Sequence, residues 1–430
     1  MSSRNAKDDL KMNENAQAEM REATRLVGIG RLLDATATIQ RALAGGRAAG
    51  PSPRQNAQDR NPPLEGSFSV VETSAESSAK SGITEPSAVP PAGAVASSDD
   101  AVVSAPIRSP LASPEFRRNS TPHTGFERSC EVAAGQRFLS GSYTGATGTR
   151  RYKLYVPSSY TGRELPLLVM LHGCTQSPDD AAAGTGFNRL GEERGWLVLY
   201  PAQAQAANRQ KCWNWFKAGD QHRDGGESAL LAGMTREIMA TYAVDGRRVY
   251  AAGLSAGGAM AAILGATHGD LFAAIGVHSG LAYRAAHDLP SAFAAMQGEN
   301  LSSPGTRTNF GTEAGPYSLG VPKIVFHGDR DATVSPANGE QVIAQSAARL
   351  AKETPLRMAS ISGQVPGGHA YTQRVYEDAT GTPVLEYWLI HGAGHAWSGG
   401  SSSGSYTDPK GPSAAHEMMR FFALHRRTPS

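Results

Sequence analysis

The stretch "RRVYAAGLSAGGAMAA", residues 247–262, is an apolar run that breaks on a serine between glycines. Within it, Gly253-Leu254-Ser255-Ala256-Gly257 fits G-x-S-x-G, a tight turn that presents a serine nucleophile between a strand and a helix. A second match, Gly400-Ser401-Ser402-Ser403-Gly404, occurs in "WSGGSSSGSYTD". The flanks separate the two. "RRVYAAG" reads as a strand entering the first turn, and "AGGAMAAILGATH" as an alanine-rich helix leaving it. Such a helix aims its N-terminal amides at the centre where negative charge develops. Ser402 sits in a glycine-serine run with no strand entering. It is read as a loop residue, and Ser255 as the nucleophile.

Outward from Ser255, the chain alternates apolar strands with helical segments. "RYKLYVP", "LPLLVMLHG", "GWLVLYP", "RRVYAAGLS", "FAAIGVHSG", "PKIVFHGD" and "LEYWLIHG" each fit a strand. Several are apolar throughout, as expected when a sheet is covered on both faces. Residues 227–242, 256–267, 336–351 and 413–427 fit helices. The alternation predicts an α/β fold over residues 126–430, with a mainly parallel central sheet and helices on both faces.

A serine is a poor nucleophile without a base, and the base needs a carboxylate to orient it. On a sheet of this kind the chain order is Ser, then Asp or Glu, then His, each just after a strand. "PKIVFHGDRDATVSP" offers Asp329 and Asp331, and "LEYWLIHGAGHAWSGG" offers His391 and His395. Asp331 lies further out on its loop and is preferred as the acid, leaving Asp329 to brace the turn. His395 follows a glycine-containing stretch and is preferred as the base, with His391 as a packed structural residue. Two backbone N–H groups would hold the oxyanion: that of Ala256, and that of Cys174 in "LLVMLHGCTQSPDD".

Composition narrows the class further. The 430 residues carry 41 Lys and Arg against 39 Asp and Glu, a balance that predicts no nucleic-acid partner. No run approaches the roughly 18 consecutive apolar residues of a membrane span. Phosphate-loop, H-E-x-x-H and complete G-x-G-x-x-G motifs are missing, so neither a cofactor nor a metal is expected. Three cysteines, Cys130, Cys174 and Cys212, allow at most one internal bridge and lack zinc-site spacing. Within residues 1–46, helical periodicity runs from residue 14 to about 46 around Leu26, Leu32, Leu33, Ile39 and Leu43, interrupted by Gly28 and Gly30. These residues predict a short helical segment, solvated or docking a partner or an apolar surface. Residues 47–125, rich in Ser, Ala, Pro and Gly, predict a disordered linker. The polar start "MSSRNAKDDLKMNENAQAEM" has no apolar h-region, which predicts a cytoplasmic chain without a standard secretory signal.

"LHGCTQSPDD", "GWLVLYPAQ", "KCWNWF", "GLSAGG", "HGDRDATV" and "GAGHAWSGG", in that order, resemble the polyhydroxybutyrate depolymerase family of α/β-hydrolase esterases. The resemblance covers roughly residues 130–427. It implies an α/β-hydrolase fold with Ser255, Asp331 and His395 as the triad and the Cys174 amide in the oxyanion hole. It further implies a serine esterase that forms an acyl-enzyme on poly(3-hydroxybutyrate) or its oligomers, without a cofactor. A feruloyl or acetyl-xylan type esterase is the alternative. A serine peptidase would want recognition of a peptide terminus, and a non-catalytic binding protein would have lost a triad member. The resemblance also allows an extracellular location. In "KCWNWF", Trp213 and Trp215, together with Trp397 of "GHAWSGG", are candidates to line an acyl-binding groove, with a buried aromatic cluster as the competing reading. A disulfide between Cys174 and Cys212 would pin the oxyanion loop to the aromatic segment.

Overall fold

The computed structural model describes residues 138–298 and 320–427, together with Glu22. The expected linker 47–125 and, apart from Glu22, the expected helical segment 1–46 with its docking role lie outside them. In chain order the strands of the main sheet are β1 (Phe138–Gly145), β2 (Gly148–Tyr155), β3 (Leu165–Leu171), β4 (Leu197–Pro201) and β5 (Val244–Leu254). They continue with β6 (Ala274–His278), β7 (Lys323–Gly328), β8 (Arg357–Gln364), β9 (Ala370–Glu377) and β10 (Pro383–Ile390). The helices are α1 (Pro178–Thr185), α2 (Phe187–Arg194), α3 (Gly226–Thr241), α4 (Ala256–Thr267), α5 (Leu289–Met296), α6 (Ala337–Leu350) and α7 (Ala414–Ala423).

All ten strands join one sheet in the order β1-β2-β4-β3-β5-β6-β7-β10-β9-β8. The central six, β4 to β10, run parallel, and the two outer pairs run antiparallel. Alternation along β3 explains its unbroken apolar sequence. Leu165, Leu167, Val169 and Leu171 enter one core, and Leu168 and Met170 enter the other. Helices α3, α4, α5 and α6 cover the first core, while α1, α2 and α7 cover the second. Each fully buried aliphatic side chain contributes about 1.5–3 kcal/mol. No described helix is long and apolar enough to cross a membrane.

The expected mainly parallel α/β sheet is present, and the differences from expectation are local. Pattern reading passed over β1, β8 and β9 because their residues are half-exposed and lack a continuous apolar run. It also passed over α1, α2 and α5, short helices marked by caps rather than periodicity, α5 by a capping box between Asp288 and Ser291. Ser177 accepts from the Asp180 N–H, Pro178 opens α1, and Gly186 and Gly195 end α1 and α2 at φ 72° and 68°. The last helix covers residues 414–423 rather than 413–427, starting at the N-cap Ser413.

Four interior histidines give the fold an acid-sensitive stability. Burial above all lowers His172, His268 and His425 to about 4 and His278 to about 3. In the unfolded chain each binds a proton near its ordinary value of about 6.5. Between those limits the unfolded state holds more protons, so stability rises with pH and is lost as pH falls from about 6.5 toward 4. The urea midpoint is therefore expected to drop steadily from pH 7 to pH 4.5, and a flat midpoint over that range would contradict the assignment.

Candidate active site

The turn at Ser255 links β5 to α4 at the C-terminal end of the parallel strands. Ser255 has φ 58° and ψ −120°, a strained conformation for a residue with a side chain. Two glycines make the turn possible. A Cβ at Gly253 would sit 2.3 Å from the carbonyl of Gly257, and a Cβ at Gly257 would sit 2.2 Å from the Leu171 carbonyl oxygen. Helix α4 thus starts in direct backbone contact with the end of β3. By contrast, Ser402 lies in an exposed turn between two two-residue strands, β11 (Trp397–Ser398) and β12 (Thr407–Asp408).

The structure sorts the two aspartates and two histidines into separate pairs. His395 Nδ1 lies 2.7 Å from Asp331 Oδ2. The other Asp331 oxygen accepts from the backbone N–H groups of Thr333 at 2.9 Å and Val334 at 2.8 Å. His327 Nε2 adds a contact to Asp331 Oδ2 at 3.3 Å. Burial alone would raise the Asp331 pKa. The hydrogen bonds from His327 and His395 override it and hold the carboxyl well below the ordinary range. Asp331 is therefore a buried carboxylate with a fixed orientation, suited to fix the tautomer of His395 with its proton on Nδ1.

The second pair is built differently. Asp329 Oδ2 meets His391 Nδ1 at 3.0 Å, and Asp329 Oδ1 accepts from Gly392 N–H at 2.7 Å. His391 Nε2 contacts Thr372 Oγ1 at 2.9 Å. Both ring nitrogens of His391 are engaged, although its side chain is 40% exposed rather than packed away. Asp329 braces the turn after β10.

His278, at the end of β6, joins the nucleophile turn to the segment that carries His395. Its carbonyl accepts from the Ser255 N–H at 2.8 Å. Its Nε2 accepts from the Ser398 N–H at 2.9 Å, and its ring stacks on Trp397 with centroids 5.0 Å apart. An accepting Nε2 places the proton on Nδ1, which donates to Ser279 Oγ at 3.1 Å. Sequence reading took most of the remaining histidines for surface or loop residues, whereas His278 and His327 are buried. The available signal was their place at or near the ends of neighbouring strands, in "GVHSG" and "VFHGD".

The loop after β3 lies beside the turn, since a Cβ on Gly173 would come within 3.5 Å of the Leu254 carbonyl. Three ties hold this loop. Gly173 N–H donates to Gln176 Oε1 at 2.8 Å, Thr175 N–H donates to the Gln210 carbonyl at 2.6 Å, and Cys174 is disulfide-bonded to Cys212. A buried carboxylate anchors the Cys212 side. Glu227 accepts from the Asn214 N–H at 2.7 Å and from Asn214 Nδ2 at 3.0 Å, pairs with Arg150 at 3.2 Å, and accepts from Gln203. Burial pushes the Glu227 pKa up despite these partners. The N–H of Cys174 and that of Ala256, at the start of α4, thus both belong to rigid backbone at the Ser255 turn.

The aromatic groove expected from Trp213, Trp215 and Trp397 is not what the structure holds. All three indoles are buried. Trp213 donates to the His172 carbonyl at 3.1 Å, Trp215 packs edge-on against Phe216, and Trp397 is sandwiched by His278 and Phe187. They brace the loops that carry the site, because large flat side chains contribute most when fully removed from water.

Residues 150–354 match the family model described as esterase PHB depolymerase. The chain is 36% identical over 245 residues to poly(3-hydroxyalkanoate) depolymerase C of Paucimonas lemoignei, covering 56% of this chain and 57% of that relative. It is 27% identical over 286 residues to feruloyl esterase B of Neurospora crassa, covering 65% of this chain and 89% of that one. Among solved structures, an acetyl xylan esterase from Aspergillus awamori matches with a TM-score of 0.52 at 20% identity, covering 66% of this chain and 99% of that one. That likeness bears on the fold, which is the α/β-hydrolase fold.

Gly257→Ala separates steric from helical effects. Helix propensity alone would favour alanine by about 1 kcal/mol. The 2.2 Å approach to Leu171 O instead predicts a destabilisation of about 3 kcal/mol or more, read from urea unfolding. A stabilised variant would show that the close contact is absent.

Proposed function

We propose that this chain, whose residues 150–354 match the family model described as esterase PHB depolymerase, hydrolyses carboxylic esters through a serine acyl-enzyme, with poly(3-hydroxybutyrate) or its oligomers as substrate. The observation that carries the mechanism is the 2.7 Å contact between Asp331 and His395, in a chain whose Ser255 occupies a strained strand-to-helix turn. Ser255 Oγ attacks the ester carbonyl carbon while His395 Nε2 takes its proton. Asp331 stabilises the imidazolium that forms, without itself taking the proton. The N–H groups of Ala256 and Cys174 hold the oxyanion of the tetrahedral intermediate. Its collapse expels the alcohol, protonated by His395, and leaves an acyl group on Ser255. Water activated by His395 then releases the acid.

The poly(3-hydroxyalkanoate) depolymerase relative, with the higher identity, favours a hydroxyacyl polymer or oligomer. A feruloyl-type substrate is the second reading, favoured by the 89% coverage of the feruloyl esterase relative.

A fluorophosphonate probe is expected to label wild type and to leave Ser255→Ala unlabelled. Equal labelling of the two would remove Ser255 from the mechanism. Asp331→Asn is expected to lower kcat on p-nitrophenyl butyrate by about 10³- to 10⁴-fold, because the imidazole loses its orienting charge. Hydroxybutyrate oligomers assayed beside methyl ferulate and acetylated xylan decide the substrate. Turnover of the aromatic or acetyl esters alone would favour the second reading. Reduction of the Cys174–Cys212 bond, which closes a separation of 38 residues, is expected to cost about 3–4 kcal/mol of stability, read as a lower urea midpoint under dithiothreitol.

A further inference from the structure

With the three indoles buried, the question of what touches the substrate is open, and the stretch set aside as the accidental serine motif supplies a residue. Three large apolar or aromatic side chains stand out as exposed among the described residues: Ile361, Tyr406 and Leu424. Ile361 lies on the outermost strand β8, and Leu424 caps α7. Tyr406, 47% exposed, is instead tied to the oxyanion loop.

Its hydroxyl lies 3.1 Å from Thr175 Oγ1. Thr175 spends its one hydroxyl proton on the Cys174 carbonyl at 2.6 Å, so Tyr406 is the donor of the pair. A hydrogen-bonded line therefore runs from Tyr406 through Thr175 to the residue whose amide is the candidate oxyanion donor. Both partners are backbone outliers. Thr175 has φ 67° and Tyr406 has φ 52°, a region that β-branched and bulky residues avoid. Such strain persists only where the surroundings over-determine it, and here they do. The Tyr406 carbonyl accepts from Trp397 N–H at 2.7 Å. The preceding Ser405 donates its N–H to Asp180 Oδ1 at 2.8 Å and accepts on its carbonyl from Gln176 Nε2 at 3.1 Å. Gln176 and Asp180 also bond each other, so the same two side chains hold the oxyanion loop and the Tyr406 segment together.

We infer that Tyr406 is a specificity-determining residue, its ring forming a fixed apolar wall for the aliphatic hydroxyacyl unit beside the scissile ester. The inference rests on the proposed ester hydrolysis and adds the substrate contact to it. The hydroxyl is committed to Thr175, so the ring face is what the side chain offers, and a methyl-bearing aliphatic chain matches it. Holding an aromatic ring in place beforehand removes the entropy cost of ordering it on binding.

The test compares kcat/KM for a 3-hydroxybutyrate trimer with kcat/KM for p-nitrophenyl acetate, whose acyl group is too short to reach along the ring. In Tyr406→Ala the trimer-to-acetate ratio is expected to fall about three- to tenfold, carried by KM of the trimer. Tyr406→Phe keeps the ring and is expected to keep the ratio. Tyr406→Asn removes the ring with a residue that tolerates positive φ, so it reports the loss of the wall in a backbone free of strain. An unchanged ratio in both the Ala and Asn variants overturns the inference, as does an equal fall in Tyr406→Phe. Failure of the wild type on p-nitrophenyl acetate and on the trimer would instead remove the ester-hydrolase reading on which the inference stands.

Discussion

A side chain at residue 257 would collide with a main-chain oxygen of β3, and the arrangement of the site follows from that close approach. Because α4 begins in contact with the end of β3, the loop after β3 is brought alongside Ser255. The backbone after β3 and the backbone at the start of α4 are thereby held side by side with little freedom between them. The cost is a strained serine, and the surrounding hydrogen bonds hold it in place. Ser255 N–H is fixed by the carbonyl of β6, and its own carbonyl receives the first helical bond of α4 from Ala259 at 2.9 Å.

Electrostatics at the same edge follow from which groups are kept neutral and which are kept charged. His278 and His172 are buried and neutral, and each uses its imidazole to bridge two backbone segments. Asp331, equally removed from water, is held as an anion by four donors. A buried carboxylate surrounded by donors exerts its field on His395 with little competition from solvent. Glu227 shows the contrasting case: its charge is spent on holding the segment that carries Cys212, away from the proposed chemistry.

Much of this was legible in the sequence because the relevant constraints are local. G-x-S-x-G encodes a steric requirement at two positions, and strand-flanking aspartates and histidines encode chain order. What the sequence did not disclose depends on contacts across the sheet. Nothing near "GVHSG" says that His278 meets Ser398, 120 residues on. Trp213, Trp215 and Trp397 look the same in sequence whether they face a groove or a core. Their burial is decided by His172, Phe216 and Phe187, none of which periodicity can assign to them. Tyr406 was hidden for the opposite reason, since its glycine- and serine-rich neighbours read as an uninformative loop. The antiparallel strands β8 and β9 were missed because they bury too little to show a pattern.

The order of the six parallel strands carries a consequence for how the chain reaches its native state. Parallel neighbours cannot be joined by a hairpin, so each pairing waits on a long crossover that must first be closed. Strands β3 and β4, buried along their whole length, stay unpaired during that search. Contacts of such high sequence separation slow folding and leave sticky edges exposed to other chains. Refolding of this protein is thus a contest between crossover closure and intermolecular association, won at high dilution and lost at high concentration.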